Sequence, residues 1–127
     1  MYKDSSYSEK LKDPRWQKKR LRIFQRDHWT CQVDYDTEST LEIHHKTYLK
    51  DANPWDYPDD ILITLCGSCH EAVGILINEH TIPELEMMIG QARRGEFEGL
   101  NDKEVGHYHR IYSLYCLARQ FLRSRPA

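Results

Sequence analysis

The chain has 127 residues, of which 39% are hydrophobic and 30% charged, with a formal net charge of −2. This composition is typical of one small globular domain with a modest core, and it lacks an apolar run long enough for a membrane span. Residues 1–10 are polar and have no apolar centre of a signal peptide. We therefore expect a cytoplasmic protein without membrane contact.

Charge is distributed unevenly along the chain. Residues 1–30 contain nine Lys or Arg against four Asp or Glu, and residues 31–60 contain two against eight. Residues 91–127 are again basic, with seven against four. An acidic middle suits cation binding and basic flanks suit a polyanion, although solvated surfaces would give the same pattern.

The N-terminal part predicts a leader followed by a basic helix. Residues 1–13 are expected to form a polar, mobile leader, and Asp13-Pro14 is typical of a helix start. From residue 15 to 27 apolar side chains fall on one side and basic ones cover the rest. We expect this helix to contact nucleic acid through Arg15, Lys18, Lys19, Arg22 and Arg26.

Two short strands and a helix are predicted next. Residues 41–45 alternate apolar and polar and end in a histidine pair, which indicates a strand that ends at a site. Residues 51–60, with two prolines, predict a loop. A short buried strand is expected over residues 61–65 and a helix over residues 70–78.

The C-terminal third predicts a helical extension over residues 81–127. Residues 81–84 match a capping box with an early proline, so a helix should run to about Arg94. Residues 95–99 should break it, and another helix should start at residues 101–104 and continue as a long amphipathic closing helix. This extension could form a dimer or bind a protein partner.

Cysteines in two segments predict a structural zinc site. Cys66-Gly67-Ser68-Cys69 places two thiolates across one tight turn, which is half of a tetrahedral site. The other half, Cys31-Gln32-Val33-Asp34, has an aspartate where a second thiolate is usual; a carboxylate can bind zinc, but more weakly and with greater sensitivity to acid. Asp36 is an alternative oxygen ligand, and a metal-free fold held by packing is the other interpretation.

Three histidines form a second set of candidate residues. His44 and His45 are adjacent on the predicted strand and should point to opposite sides, and His70 lies at a predicted helix start. One imidazole could face a metal while another faces a phosphate. A neutral histidine can accept a proton from water near neutral pH, and a divalent cation can stabilise the charge that develops on the phosphate.

These segments together resemble the treble-clef HNH endonucleases, over a little more than half of the chain. The resemblance implies an α+β, ββα-metal module over residues 14–80, with His45 as general base and His44 and His70 as ligands of the catalytic cation. The cysteines would hold a separate structural zinc. The stretches that carry it are Arg15-Trp16, Arg20-Leu21, Arg26-Asp27, Cys31-Gln32-Val33, Leu41-Glu42-Ile43-His44-His45-Lys46-Thr47-Tyr48, Tyr57-Pro58-Asp59-Asp60 and Thr64-Leu65-Cys66-Gly67-Ser68-Cys69-His70-Glu71-Ala72.

The chain departs from the family pattern at two further positions besides Asp34. The asparagine that orients the general base falls on Ile61, for which Asp60 could substitute if the loop bulges by one residue. The family's optional last histidine falls on Gly74. Two remaining protein ligands favour Mg²⁺ or Mn²⁺ over a catalytic zinc, because magnesium keeps most of its waters.

The sequence therefore predicts a metal-dependent endonuclease that hydrolyses phosphodiester bonds in nucleic acid, with double-stranded DNA as the expected substrate and Lys46 as a further phosphate contact. The first alternative is a catalytically degenerate HNH-like zinc module that binds nucleic acid or a protein, as an adaptor or inhibitor. A structural zinc finger with incidental histidines is the second.

Overall fold

The computed structural model describes residues 5–96 and 108–125 and has an α+β fold. An antiparallel two-stranded hairpin is followed by a helix, with further helices before and after it, which confirms the predicted fold class at this level. The elements are α1 (Ser5–Leu11), α2 (Pro14–Arg26), β1 (Leu41–His45), β2 (Leu62–Cys66), α3 (Gly67–Glu79), α4 (Ile82–Arg93) and α5 (Tyr108–Ser124).

The N-terminal segment contains a helix where only a leader was expected. Helix α1 ends at Leu11, which packs against the core on the α2 side. This apolar contact stabilises the segment. The following corner is capped: the Asp13 carboxylate accepts the backbone N–H of Arg15 at 2.8 Å, and Pro14 occupies the first helical turn. Helix α2 then runs from Pro14 to Arg26, and Asp27, predicted as its last residue, is its C-cap.

The hairpin determines which side chains face which half of the molecule. In its register Leu41 pairs with Cys66 and His45 with Leu62. Alternate residues point to opposite faces, so Ile43 and His45 face α2 whereas Glu42 and His44 face α3. Strand β1 matches its prediction, and β2 begins one residue later than predicted because a 3₁₀ turn covers Asp59–Ile61.

Each face of the hairpin has its own core. The core on the α2 side includes Trp16, Ile23, Phe24, Ile43, Tyr57 and Leu62. The core on the α3 and α5 side includes Cys31, Val33, Leu65, Val73, Leu114 and Leu117. The two strands are thus covered on both sides, which offsets the marginal stability of an isolated hairpin.

The helical extension packs on this module. Thr81 and Glu84 form the predicted capping box at the start of α4, and the chain leaves that helix through Gly95, whose φ of +73° suits glycine. The predicted helix start at residues 101–104 lies outside the described residues. Helix α5 packs against the α3 core through Leu114 and Leu117, and of the described positions predicted for its apolar side only Ala118 is among its buried residues. Of the helices described, none combines the length and apolar character needed to cross a bilayer.

Candidate metal centre and histidine pocket

Cys31, Asp34, Cys66 and Cys69 converge on one point. Their ligand atoms all lie within 4.8 Å of one another, and the three cysteines are buried. One oxygen of Asp34, Oδ2, lies 3.5 Å from Cys66 Sγ and 3.4 Å from Cys69 Sγ. Three sulfurs and one carboxylate oxygen match the donor number and type of structural zinc. The cluster could therefore hold a structural metal such as zinc.

Local backbone structure brings the cysteines into this cluster. Cys66 ends β2 and caps α3, where its Sγ accepts the backbone N–H of Cys69 at 3.4 Å. This cap starts α3 at Gly67, three residues earlier than predicted. Cys31 is held from the other side, because its N–H donates to the backbone oxygen of Asp36 at 2.9 Å.

Protonation in the cluster is set by burial and by mutual hydrogen bonds. Burial raises the pKa of the Cys31 thiol, and burial together with the hydrogen bond to Cys66 raises the pKa of Cys69. Burial acts to raise the pKa of the Asp34 carboxyl too, but hydrogen bonds from Cys31, the Asp36 backbone and the other thiols outweigh it, and that pKa is lowered. A bound cation would favour thiolates instead and release their protons.

Arg110 of α5 supports the cluster from outside, which the sequence analysis missed. Its Nε lies 3.9 Å from Asp34 Oδ2, and its Nη2 donates to Ser68 Oγ at 3.2 Å. The alternative ligand Asp36 lies elsewhere, because its carboxylate accepts the backbone N–H groups of Glu38 and Ser39.

His44 and His70 meet on the α3 face of the hairpin. Their ring centroids are 5.6 Å apart in an edge-to-face arrangement. His44 is only 5% exposed, and its buried Nε2 has no hydrogen-bond partner within the described part of the chain. His70 is oriented by Glu42, whose Oε1 lies 2.5 Å from His70 Nδ1. Glu42 was missed, although its two-residue spacing from His44 on a strand indicates the same face.

His45 faces the other way, as the strand pattern predicted. Its ring stacks on Trp16 at 5.4 Å and meets the Tyr57 ring edge-to-face at 4.5 Å. Burial, then the charge of His70, lowers the pKa of His45 to about 4. Burial, with the charges of His70, His45 and Lys46, lowers the pKa of His44 to about 3. Both rings are therefore neutral at pH 7.

All three histidines line one open cavity of about 300 Å³. Gly74, from the next turn of α3, lies on its wall, and the wall also includes Phe121 of α5 and Arg125, the first residue after that helix. Neither Phe121 nor Arg125 could be assigned to the site from the sequence, because nothing local in it indicates where α5 docks. The structure thus brings the predicted histidines together at the edge of the hairpin.

The positions expected to orient the general base do not reach it. Ile61 is partly buried against the α2 core, and its backbone oxygen accepts the N–H of Lys46 at 2.8 Å. Asp60 is exposed, and no hydrogen bond among the described residues joins it to His45. The surroundings of His45 are aromatic on two sides instead.

The cations of α2 are largely used within the protein. Lys19 and Arg22 both bind the Asp59 carboxylate, with N–O distances of 2.9 and 2.7 Å. Arg26 binds the Asp27 carboxylate and also donates to the backbone oxygens of Asp59 and Leu62. These three cations therefore fasten α2 to the loop before β2.

The remaining predicted nucleic-acid contacts are placed differently. Arg15 pairs with Asp13 at 2.9 Å, and its guanidinium lies 4.1 Å from the centre of the Trp55 ring. Lys18 is exposed on α2, and Lys46 is half-buried directly after the histidine pair. Among the predicted nucleic-acid contacts, only Lys46 is adjacent in sequence to a residue that lines the histidine pocket described above, His45.

Comparison with family models, with curated proteins and with solved structures finds no match for this chain. What the site can do chemically follows from its own residues. A closed cluster of three cysteines and one aspartate can hold a structural metal. Beside it, an open pocket presents three imidazoles that can accept protons or bind a cation.

Proposed function

We propose that the protein is a metal-dependent endonuclease of the HNH type, braced by a structural zinc, that hydrolyses phosphodiester bonds in nucleic acid, with double-stranded DNA as the expected substrate. The observation that carries this proposal is the convergence of His44 and His70, 5.6 Å apart, in a pocket that His45 also lines. The order of the hairpin, the turn between Cys66 and Cys69, and the helix supports the treble-clef assignment.

His44 and His70 would hold the catalytic cation. A buried ring nitrogen without a partner is costly, so the Nε2 of His44 is a natural ligand position. The bond from Glu42 occupies Nδ1 of His70 and leaves its Nε2 free. Two protein ligands suit Mg²⁺ or Mn²⁺, which fill their coordination with water and phosphate oxygens. When bound, such a cation supplies Lewis-acid stabilisation of the reacting phosphate.

His45 would be the general base. Its pKa of about 4 keeps the imidazole neutral at pH 7, so it can accept the proton of the attacking water. A base with so low a pKa gives a smaller driving force for proton transfer than one matched to the working pH. We therefore expect a slow enzyme, consistent with isoleucine at the position of the orienting asparagine.

A second candidate is a non-catalytic binding module built on the same scaffold. It is favoured by the aromatic surroundings of His45 and by the pairing of Lys19 and Arg22 with Asp59, which reduces the charge available to nucleic acid. Its partner would be nucleic acid, or a protein bound through residues 81–127. The structural zinc would stabilise the fold in either case.

A nicking assay separates the two candidates. Supercoiled plasmid is incubated with Mg²⁺ or Mn²⁺ and with wild type, His45→Ala or the control His109→Ala, which alters an exposed histidine of α5. We expect His45→Ala to nick at least about a hundredfold more slowly, the usual effect of losing a general base, and His109→Ala to match wild type. Equal nicking by all three proteins would overturn the role of His45. No nicking, together with salt-sensitive DNA binding, would support the binding module.

A further inference from the structure

The C-terminal end of α5 forms one wall of the histidine pocket. The Phe121 ring lies 6.3 Å from the ring of His44. One turn later, Ser124 Oγ accepts the backbone N–H of Tyr48 at 2.7 Å, and Tyr48 follows the histidine pair by three residues. The end of α5 is thus fastened to the segment that leaves the candidate site.

This wall places a guanidinium at a pocket that has no carboxylate among its described lining residues. Arg125 lines the pocket with the three histidines and Asn78. Its described contact is with the Phe121 ring, 5.7 Å from the guanidinium carbon, and none of the described carboxylates forms an ion pair with it. By contrast Arg123, two residues earlier, is paired with Glu86 at 2.5 Å.

The guanidinium gives this pocket a group that favours an anion beside the proposed cation. Three imidazoles and an amide can donate or accept hydrogen bonds, and a guanidinium adds a permanent positive charge with two parallel N–H groups. The Nε2 of His44, in a side chain 5% exposed, has no partner among the described residues and is the nitrogen assigned above to the proposed cation, so this pocket is incomplete without a ligand, and a cation held there would attract a phosphate further. Because Lys19, Arg22 and Arg26 of α2 are paired within the protein, the guanidinium at the pocket is that of Arg125, directly after α5.

We propose that Arg125 binds the phosphate of the substrate at the histidine pocket, so that the residue directly after α5 belongs to the active site. The ligand class is a phosphodiester, which rests on the proposed function, and free phosphate shares the same chemistry. The guanidinium donates to two non-bridging oxygens in the bidentate geometry that arginine and phosphate share. The Phe121 ring beneath it restricts its orientation.

Two measurements on the full-length protein test this assignment. Inorganic phosphate is titrated while histidine side-chain resonances are followed by NMR, and nicking kinetics are measured with Mn²⁺. The variants are Arg125→Gln, Arg125→Lys and the matched control Arg123→Gln, which removes the same charge two residues earlier, in the last turn of α5. We expect Arg125→Gln to weaken phosphate binding and to raise KM roughly 10- to 100-fold, the effect of one charge-assisted contact. Arg125→Lys should keep part of the affinity, and Arg123→Gln should stay close to wild type.

The outcomes distinguish this inference from the proposed function. Equal weakening by Arg125→Gln and Arg123→Gln would show a general effect of charge and overturn the assignment. Phosphate binding that depends on Arg125, in a protein that nicks no DNA, would support the anion site and reject the nuclease. Nicking by wild type with an unchanged KM in Arg125→Gln would support the nuclease and reject Arg125.

Discussion

Glu42 and His70 are joined across two elements by a hydrogen bond between Oε1 of the carboxylate and Nδ1 of the ring, 2.5 Å apart. Strand β1 provides the glutamate and the first turn of α3 provides the histidine. Gly67 leaves room for this contact, because a side chain there would place its Cβ 3.3 Å from the other carboxylate oxygen, Oε2. The carboxylate fixes the proton on Nδ1 and leaves Nε2 as the ring nitrogen able to bind a cation.

Replacing Glu42 by glutamine should therefore weaken cation binding at the proposed site. A neutral amide orients His70 less strongly and lowers the basicity of its Nε2. We expect Glu42→Gln to bind Mn²⁺ roughly 10- to 100-fold more weakly, the usual range for the loss of such a partner. Calorimetric titration with Mn²⁺, together with nicking rates, measures the effect.

The control is Glu71→Gln, which removes the same charge from an exposed position next to His70. It should bind Mn²⁺ with nearly wild-type affinity. If the two variants lose affinity equally, the Glu42 contact acts only as a distant charge and does not orient the ligand.

The zinc cluster allows a gain of stability to be predicted. In Asp34→Cys a fourth thiolate replaces the carboxylate oxygen. Zinc prefers the softer thiolate to the harder oxygen ligand. We expect wild type to contain one zinc per chain and Asp34→Cys to retain it longer against a chelator and to lower pH. Asp34→Ala should lose zinc readily and unfold at a lower temperature, since a structural metal contributes directly to folding. Elemental analysis after dialysis against EDTA, with thermal unfolding, measures both.

Asp36→Asn tests the ligand assignment. Asp36 was the alternative oxygen ligand, but its carboxylate caps a turn outside the cluster. Zinc content should therefore be unchanged in this variant. Loss of zinc from Asp36→Asn with retention in Asp34→Ala would contradict the geometry described for the cluster.

At both sites, the features that could be predicted from the sequence are those that depend on residues close together in the chain. The strand that ends in His44-His45 and the tight turn between Cys66 and Cys69 are local features, and the structure contains both of them. Arg110, Phe121 and Arg125 could not be assigned to the sites, because their roles depend on how α5 docks. An amphipathic pattern indicates which side of a helix is buried and gives no information about its partner.

The basic helix illustrates a different limit. Composition indicates the charge of Lys19 and Arg22 but not whether it is already neutralised. Both cations bind Asp59, which lies 37 residues beyond Arg22 in the chain. The pull of these two cations lowers the pKa of Asp59 to about 2. A charge count alone therefore overestimates what α2 offers to nucleic acid.

Gly74 provides a test by addition. It lies one helical turn after His70 on the pocket wall, and a Cβ at this position would have nothing within 4 Å. Residues four apart on a helix share a face, so Gly74→His should add a third imidazole beside His70. We expect Mn²⁺ to bind about tenfold more tightly, equivalent to ~1.4 kcal/mol, as measured by titration.

Gly74→Ala separates this effect from helix stabilisation. Replacing a glycine inside a helix should raise the free energy of unfolding by roughly 0.5–1 kcal/mol, because it removes backbone freedom from the unfolded chain. Alanine should therefore increase stability without changing Mn²⁺ affinity. If Gly74→Ala and Gly74→His raise the Mn²⁺ affinity equally, a histidine at position 74 does not act as a ligand of the proposed cation.

Asp27 links the folded state to pH. Its carboxylate is 8% exposed and accepts the backbone N–H of Thr64 at 3.0 Å and the Nε of Arg26 at 2.8 Å, which ties α2 to β2. Burial acts to raise its pKa, but these hydrogen bonds outweigh it, so the pKa lies below the ordinary 3.8. The carboxylate therefore stabilises the fold fully above that pH, and the stabilisation is lost as pH falls through the lowered pKa.

We expect Asp27→Asn to lower the free energy of unfolding by about 1–3 kcal/mol at pH 7, and to lose less stability than wild type on acidification below pH about 4. Urea unfolding between pH 3 and 7 measures both effects. Release of a zinc bound at the cluster would destabilise both proteins alike at low pH, so their difference isolates this carboxylate. The control Asp51→Asn alters an exposed carboxylate and should follow wild type across the range. If the free energy of unfolding falls equally in wild type and in Asp27→Asn below pH about 4, protonation of Asp27 is not the cause of the acid sensitivity.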